Sequence, residues 1–409
     1  MAELISHARL ANALLQLVRE QQFEQVADAQ SGGKPVVHFP SLDLAVVAFP
    51  PGASPVWANV LFSRDFPQGV IARIDDQAGA VANIQYLNDQ TAADGTSLAW
   101  SSDSDWSAIE WTSLGGTGAQ RFVSPYPASL IKLMVAIGVA RVVDTGAYRW
   151  ESLWDYAGTA HTIAQWTDSM VVASNNDATS AMVALLHVAG LIQRSGDQEI
   201  NGLNSLFQSL GMHTLRLSDT RPDGGWRNAD GAGVGHLHMT AWDTVRLLWL
   251  ISEGLPPAPW QVQSETPLLQ AESRQLLWQM LGDQGLHEIL SSTALAGVAG
   301  WQVGIPAVMP GRWVQSDGSA QVETTHFPPD IRPAHAKATA LFAHKTGTTD
   351  NYAADAGLVT GLVPQGRRYC IALTTNLGRR YAPHPNCATD WRVPRLGAAI
   401  DTWLQERLE

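Results

Sequence analysis

At 409 residues the chain is long enough for two or three domains that each bury a full core, which excludes the small classes held together by disulfides or metals. Apolar residues make up 45% of it and charged residues only 16%, which excludes intrinsic disorder. Its 26 basic residues stand against 38 acidic ones, a net charge of −12 with no basic stripe, so a nucleic-acid partner is not expected.

Residues 1 to about 30 read as an amphipathic helix that SGGKP (31–35) ends. Glu3 and Arg9 stand where a signal peptide needs an uninterrupted apolar core, so the sequence as written reads as cytoplasmic, or as periplasmic or secreted if a leader was removed. Between 36 and 124, LDLAVVAFP (42–50), WANVLFS (57–63), GVIARI (69–74) and VANIQYL (81–87) are predicted strands. From 125 to 300 the periodicity turns helical, in LIKLMVAIGVARVV, DATSAMVALLHVAGLI, LNSLFQSLG, TAWDTVRLLWLI and ESRQLLWQML. The most apolar run, Leu133 to Ala140, falls far short of the roughly 20 residues of a membrane span, and no membrane insertion is expected. After a Pro/Gly-rich stretch (304–334), strands return at 338–346, 353–362 and 368–376, and a helix closes the chain.

Sequential strands tend to lie together, so the expected fold is α/β of the α+β kind: one antiparallel sheet flanked by the N- and C-terminal helices, with an inserted all-helical lobe. Residues 1–124 and 311–409 would form the sheet lobe, 125–310 the helical lobe, and the cleft between them the site. Cys370 and Cys387 are too few for a disulfide framework or a cysteine metal site and read as two thiols.

Only four lysines occur, Lys34, Lys132, Lys337 and Lys345, so arginine fills nearly every place where either cation would serve. Lysine can lose its proton when buried and arginine in practice cannot, which singles out Lys132 and Lys345. Ser129 stands three residues before Lys132 at the start of the most apolar helix, within reach of its amine, as a nucleophile and its base. Ser174-Asn175-Asn176 occupies a turn between helices, where a hydroxyl can relay a proton and an amide can hold a substrate carbonyl or orient a lysine. Lys345-Thr346-Gly347-Thr348 ends a predicted strand: Lys345 and Thr346 can bind a carboxylate, Gly347 lets a ligand approach the backbone, and the N–H groups of Thr348 and Ser129 can form an oxyanion hole.

Ser-x-x-Lys, Ser-x-Asn and Lys-Thr-Gly, in that order on helix, turn and strand, resemble the active-site set of the serine β-lactamase and penicillin-binding protein (D-alanyl-D-alanine peptidase) superfamily, closest in texture to its class A β-lactamase branch. PYPASLIKLMVA, ASNNDATSAMVALL, FQSLGMHTLRL and HKTGTTDNYAADAGLV carry that texture, over about residues 120 to 376 plus the last helix. The resemblance implies that Ser129 is acylated, Lys132 accepts its proton, Ser174 passes a proton to the leaving group and Asn176 positions substrate and Lys132. It implies that Lys345 and Thr346 bind the substrate carboxylate, with no metal or other cofactor.

The chain also departs from that pattern. Class A β-lactamases carry a Glu-x-x-Leu-Asn loop whose glutamate activates the deacylating water; here the corresponding loop reads LSDTRPDGGWRNADGAGVG, without glutamate. Asp223 and Asn228 are the nearest imitation, and Glu199 precedes the loop and reads as a surface residue. Ser129 lies roughly 80 residues further along than the family pattern, and 314–336 looks like an insertion beside the Lys345 strand. His236 and His238 lack the further ligands of a metal site, and strand alternation points His344 away from the Lys345 face.

The expected activity is that of a serine hydrolase or acyltransferase, a peptidase, esterase or transacylase that acts on an amide or ester through acyl-Ser129 without efficient β-lactamase turnover. The expected partner is a small molecule or peptide bearing a carboxylate. The rivals are a true β-lactamase with another deacylating base, and a sensor or binding module that is acylated once. Lys345→Arg is expected to be milder than Lys132→Arg, because attracting a carboxylate needs only a cation.

Overall fold

A computed structural model describes residues 5–90, 97–99, 105–195, 198–226, 237–261, 267–364 and 366–408. Helix α1 (His7–Glu20) starts at Ser6, whose hydroxyl accepts from the Arg9 N–H, and buries Leu10, Leu14, Leu15 and Val18 along one face. That face packs on the strand Val56–Phe62. The last helix has the same design, with Val393, Leu396, Ile400, Leu404 and Leu408 buried, and it packs beside α1.

Between these terminal helices and the rest of the chain stands a six-stranded sheet, in the order Ala340–Thr348, Ala353–Gly361, Arg368–Thr375, Leu42–Ala48, Val56–Phe62, Val70–Ile71, every pair antiparallel. The two distant strand groups join where Thr375 opposes Leu42 and Tyr369 opposes Ala48. Every residue of Leu42–Ala48 is buried, because both faces of this central strand are covered. Leu44, Val46, Ile371 and Leu373 face the terminal helices, while Ala45, Val47, Cys370 and Ala372 face the remaining helices. Both cysteines are buried free thiols.

The helices that follow are α2 (Lys132–Asp144), α3 (Ile163–Val172), α4 (Asn176–Val188), α5 (Gly202–Ser209), α6 (Ala241–Ile251) and α7 (Ala271–Gly282). Helix α6 lies directly on Leu42–Ala48 and Arg368–Thr375, and its first N–H, on Ala241, donates to the buried carboxyl of Asp43 at 2.9 Å. Asp43 also accepts from Asn59 Nδ2 at 2.7 Å, and burial lifts its pKa to about 6. One apolar core therefore runs unbroken from the sheet through α6 into α2 and α4, while Ile289, Leu290, Ile305 and Ala307 belong to the core on the opposite face. Helices α2 to α7 fall in the chain between strands of the main sheet, and their packing is continuous with it.

One strand expectation needs correction. Ile84–Asn88, Ser113–Gly115 and Gln120–Ser124 do not extend the main sheet; the first pairs antiparallel with the second and parallel with the third in a separate small sheet. Asn83 makes the break, since its side chain accepts from Arg73 N–H at 2.7 Å and donates to Ile71 carbonyl and Gln120 Oε1, both at 3.0 Å. The small sheet thus delivers residues 120–124 straight into the Ser129 turn. The expected insertion is a hairpin, Ala320–Val322 with Thr325–Phe327, followed by the short helix α8 (Arg332–His335), on its own core of Leu295, Met309, Ala320, Phe327 and Ile331. The terminal helix Arg392–Leu408 is α9. No helix among the described residues is long and apolar enough to cross a membrane.

Candidate active site

Ser129 lies in a 3₁₀ turn, Ala128–Ile131, and α2 begins only at Lys132, so the two share a face across a turn junction and not within one helix. Ala128 holds φ +48°, a left-handed conformation that costs free energy at a non-glycine residue and that tertiary packing must hold in place. Lys132 is 1% exposed. Its amine donates to the Ser174 carbonyl, to Ser174 Oγ at 3.1 Å and to Asn176 Oδ1 at 2.9 Å. Among the described residues no hydrogen bond joins it to the Ser129 hydroxyl. Burial pulls its pKa well below the ordinary lysine value, the neighbouring Lys345 charge adds to that, and Glu323 opposes it.

Ser174 occupies the break between α3 and α4 at φ +62°. Its neighbour Asn175 caps α4, accepting from the Ala178 N–H at 2.9 Å, which leaves Asn176 as the amide on Lys132. Ser174 Oγ is touched from the other side by Lys345 Nζ, at 2.9 Å. Lys345 is 0% exposed and also donates to the Thr346 carbonyl at 2.8 Å. Burial draws its pKa down to about 7, opposed by Asp355 and Glu288.

The strand Ala340–Thr348 runs against the Ser129 turn, and Gly347 marks the closest approach. A Cβ there would stand 2.6 Å from the Pro127 carbonyl oxygen and 2.7 Å from the backbone nitrogens of Ser129 and Leu130. The glycine admits the Ser129 turn and also lines the second hollow. Two adjoining hollows open above this junction, of about 340 and 400 Å³, both lined by Ser129, Asn176, Thr348 and Arg379. Lys345 lies beneath them, enclosed, while Thr346, Gly347 and Thr348 reach the second.

No protein-family model matches this sequence, and no curated protein matches it. Solved structures do align with the chain. A PBP-A mutant in acyl-enzyme complex with penicillin G aligns over 99% of this chain and 97% of its own, at 13% identity and a TM-score of 0.45. A class A β-lactamase representative from Bacteroides cellulosilyticus DSM 14838 aligns over 98% of both chains at 13% identity and 0.46, and a β-lactamase from Sphaerobacter thermophilus DSM 20745 over 97% of both at 14% and 0.47. No activity follows from likeness at that level, and the chemistry rests on the residues.

Asp223 does not reach either hollow. It is exposed on the loop after α5, where its carboxylate accepts from the Gly225 N–H at 2.9 Å and its carbonyl from the Tyr156 hydroxyl at 2.9 Å. The same loop instead sends Trp226 to the hollow, beside Lys132 and Ser129. Asn228 and His236 lie outside the described residues. Glu199, expected at the surface, is half-buried and accepts from the Asp219 N–H at 2.9 Å, which ties the loop to the Ile192–Ser195 and Gln198–Asn201 hairpin. His238 is buried on the Thr214 carbonyl, and His344 lies on the far face of its strand, 2.7 Å from Asp355 and stacked on Phe342.

Three residues that the sequence did not single out line the hollows. Arg379 follows the last sheet strand, is exposed, and has no ion pair among the described residues. Glu288 lies in the irregular stretch after α7. Glu323, at φ +46° on the tip of the inserted hairpin, is held by Ser169 Oγ at 2.7 Å and Asn175 Nδ2 at 3.1 Å. None belongs to a spaced motif; only the insertion itself hinted at Glu323.

Proposed function

We propose that the protein is an active-site serine hydrolase or acyltransferase that attacks an amide or ester carbonyl and passes through an acyl-Ser129 intermediate. The observation that carries this reading is Ser174 Oγ held between the Lys132 and Lys345 amines, at 3.1 and 2.9 Å, in a hollow lined by Ser129. A buried lysine with a depressed pKa is a proton acceptor near neutral pH, and a hydroxyl between two such amines is a proton relay.

In the forward step the neutral Lys132 amine turns from its Ser174 and Asn176 partners to take the Ser129 hydroxyl proton as Oγ bonds to the carbonyl carbon. The carbonyl electron pair moves to oxygen, where the Ser129 and Thr348 N–H groups stabilise it. Collapse breaks the bond to the leaving nitrogen or oxygen, which receives the proton from Lys132 through Ser174. Water or an amine then bonds to the acyl carbon, its proton returns by the same route, and Ser129 Oγ is released. Trp226 stands in the hollow and Asp223 stands outside it, so among the described residues of this loop no carboxylate stands beside Ser129 to activate the deacylating water. Slow hydrolysis of a penicilloyl-enzyme is the expected outcome.

Turnover of a chromogenic cephalosporin tests this against the reading of a true β-lactamase. A stoichiometric burst with little sustained rate, absent in Ser129→Ala, is expected. Sustained Ser129-dependent hydrolysis would favour a β-lactamase with its base elsewhere in the site.

A further inference from the structure

The second hollow has a charge balance that acyl transfer alone does not use. Its charged lining residues are Asp177, Glu288 and Glu323 against a single Arg379. Lys345 is enclosed beneath the lining, where burial draws its pKa down to about 7.

Glu288 is the informative member. It is 6% exposed, and among the described residues its carboxyl accepts no hydrogen bond, although a buried carboxylate without a donor is costly. Burial lifts its pKa to about 7, with Arg379 and Lys345 opposing and Asp355 adding to the rise. A buried carboxyl that faces a cavity and lacks a donor is a place where a ligand can supply one. Glu323, fixed by Ser169 and Asn175, and Asp177, in the first turn of α4, stand where this hollow meets an outer cleft of about 920 Å³ with Tyr156, Trp166 and Met280 on its walls.

We propose that the hollow binds an ammonium group of the substrate, with Glu288 at its inner end and Asp177 and Glu323 at its mouth, and that the aromatic cleft takes the apolar part of the same molecule. The substrate class is an amide or ester that carries a free amine close to the scissile carbonyl, in place of the carboxylate expected on Lys345. Its role in turnover rests on the reading of Ser129 as the nucleophile. An ammonium brings three donors to carboxylates that have room for them, and an aryl substituent beside it packs on the Trp166 wall, where a second cation would also be favoured.

Two measurements separate this subsite from the nucleophile. The first is the acylation rate of the whole protein, read by intact mass, with ampicillin, benzylpenicillin and carbenicillin, whose side chains carry an ammonium, no charge and a carboxylate. The second is calorimetric binding of 2-phenylethylamine and phenylacetate to Ser129→Ala. Ampicillin is expected to exceed carbenicillin by about tenfold or more, and the amine to bind at least about tenfold tighter than the acid. Glu288→Gln and Glu323→Gln should each cut both preferences at least threefold or so; Glu323→Gln, on an exposed turn, carries the test should Glu288→Gln not fold. Preferences that survive these substitutions, or that favour the acid, overturn the subsite. If none of the penicillins acylates Ser129 while amine binding depends on Glu288 and Glu323, the subsite stands and the nucleophile reading falls. Equal acylation by all three with equal binding of amine and acid removes the subsite and leaves Ser129 in place.

Discussion

Lys345 donates to Ser174 Oγ at 2.9 Å, across the join between a strand of the main sheet and the turn that links α3 to α4. The same oxygen lies 3.1 Å from Lys132 Nζ, so two fully buried amines meet on one hydroxyl. Two lysines this close cannot both hold a proton cheaply.

Lys132→Arg should lower the acylation rate by about a thousandfold, since arginine cannot take the Ser129 proton and general-base contributions run at roughly 10² to 10⁴. Lys345→Arg, which a carboxylate clamp would tolerate, should here be damaging as well. The amine is 0% exposed on Ser174 and the Thr346 carbonyl, where a guanidinium has no means to shed its charge. Stopped-flow acylation of the two variants checks both; near-normal acylation by Lys345→Arg would place that side chain at the hollow surface.

Stability and activity should pull apart at Lys345. Its pKa falls from the ordinary 10.5 to about 7 on folding, so between these values the unfolded chain binds a proton that the folded one does not. The penalty of the buried charge is therefore full below pH 7 and is relieved as pH rises from 7 towards 10.5. Lys345→Met should raise the melting temperature by several degrees at pH 6, with the gain shrinking steadily by pH 10, while acylation is lost. Melting curves from pH 6 to 10 give the slope; a gain that grows with pH would contradict the sign.

Gly347→Ala should move the nucleophile's turn. The added methyl would stand 2.6 to 2.7 Å from three backbone atoms of 127–130, none of which can rotate aside. A destabilisation of about 1–3 kcal/mol and a loss of acylation of about a hundredfold are expected, by denaturant titration and intact mass respectively.

The loop that carries Trp226 should set the lifetime of the acyl-enzyme. Asp223→Asn is expected to leave that lifetime within about twofold, because the carboxylate is exposed and directed to Gly225 and Arg221. Trp226→Glu puts a carboxylate beside Lys132 and Ser129 and should shorten it by about tenfold or more. Decay of the penicilloyl mass adduct measures both.

The main strands and helices were legible from their apolar periods, and the candidate site from three short motifs in a fixed order, whose residues the fold brings together around adjoining hollows. What was not legible depended on contacts between distant segments. Asn83, by hydrogen bonds to Ile71, Arg73 and Gln120, stands at the break before the separate sheet of Ile84–Asn88, Ser113–Gly115 and Gln120–Ser124, a use of one polar side chain that no period announces. The close approach of Gly347 to the Pro127 carbonyl and the full burial of Lys345 come from the fold and have no signal in the sequence. Glu288 and Glu323 sit in irregular segments, and only the fold brings them to the Ser129 hollow.

The central claim is that Ser129 is acylated and then slowly released. Intact-protein mass after mixing with benzylpenicillin, with Ser129→Ala beside it, tests this most directly. A persistent adduct of one penicilloyl group on the wild-type chain and none on the variant is the expected result. An adduct of the same size on Ser129→Ala, or no adduct together with rapid loss of the penicillin, would contradict it.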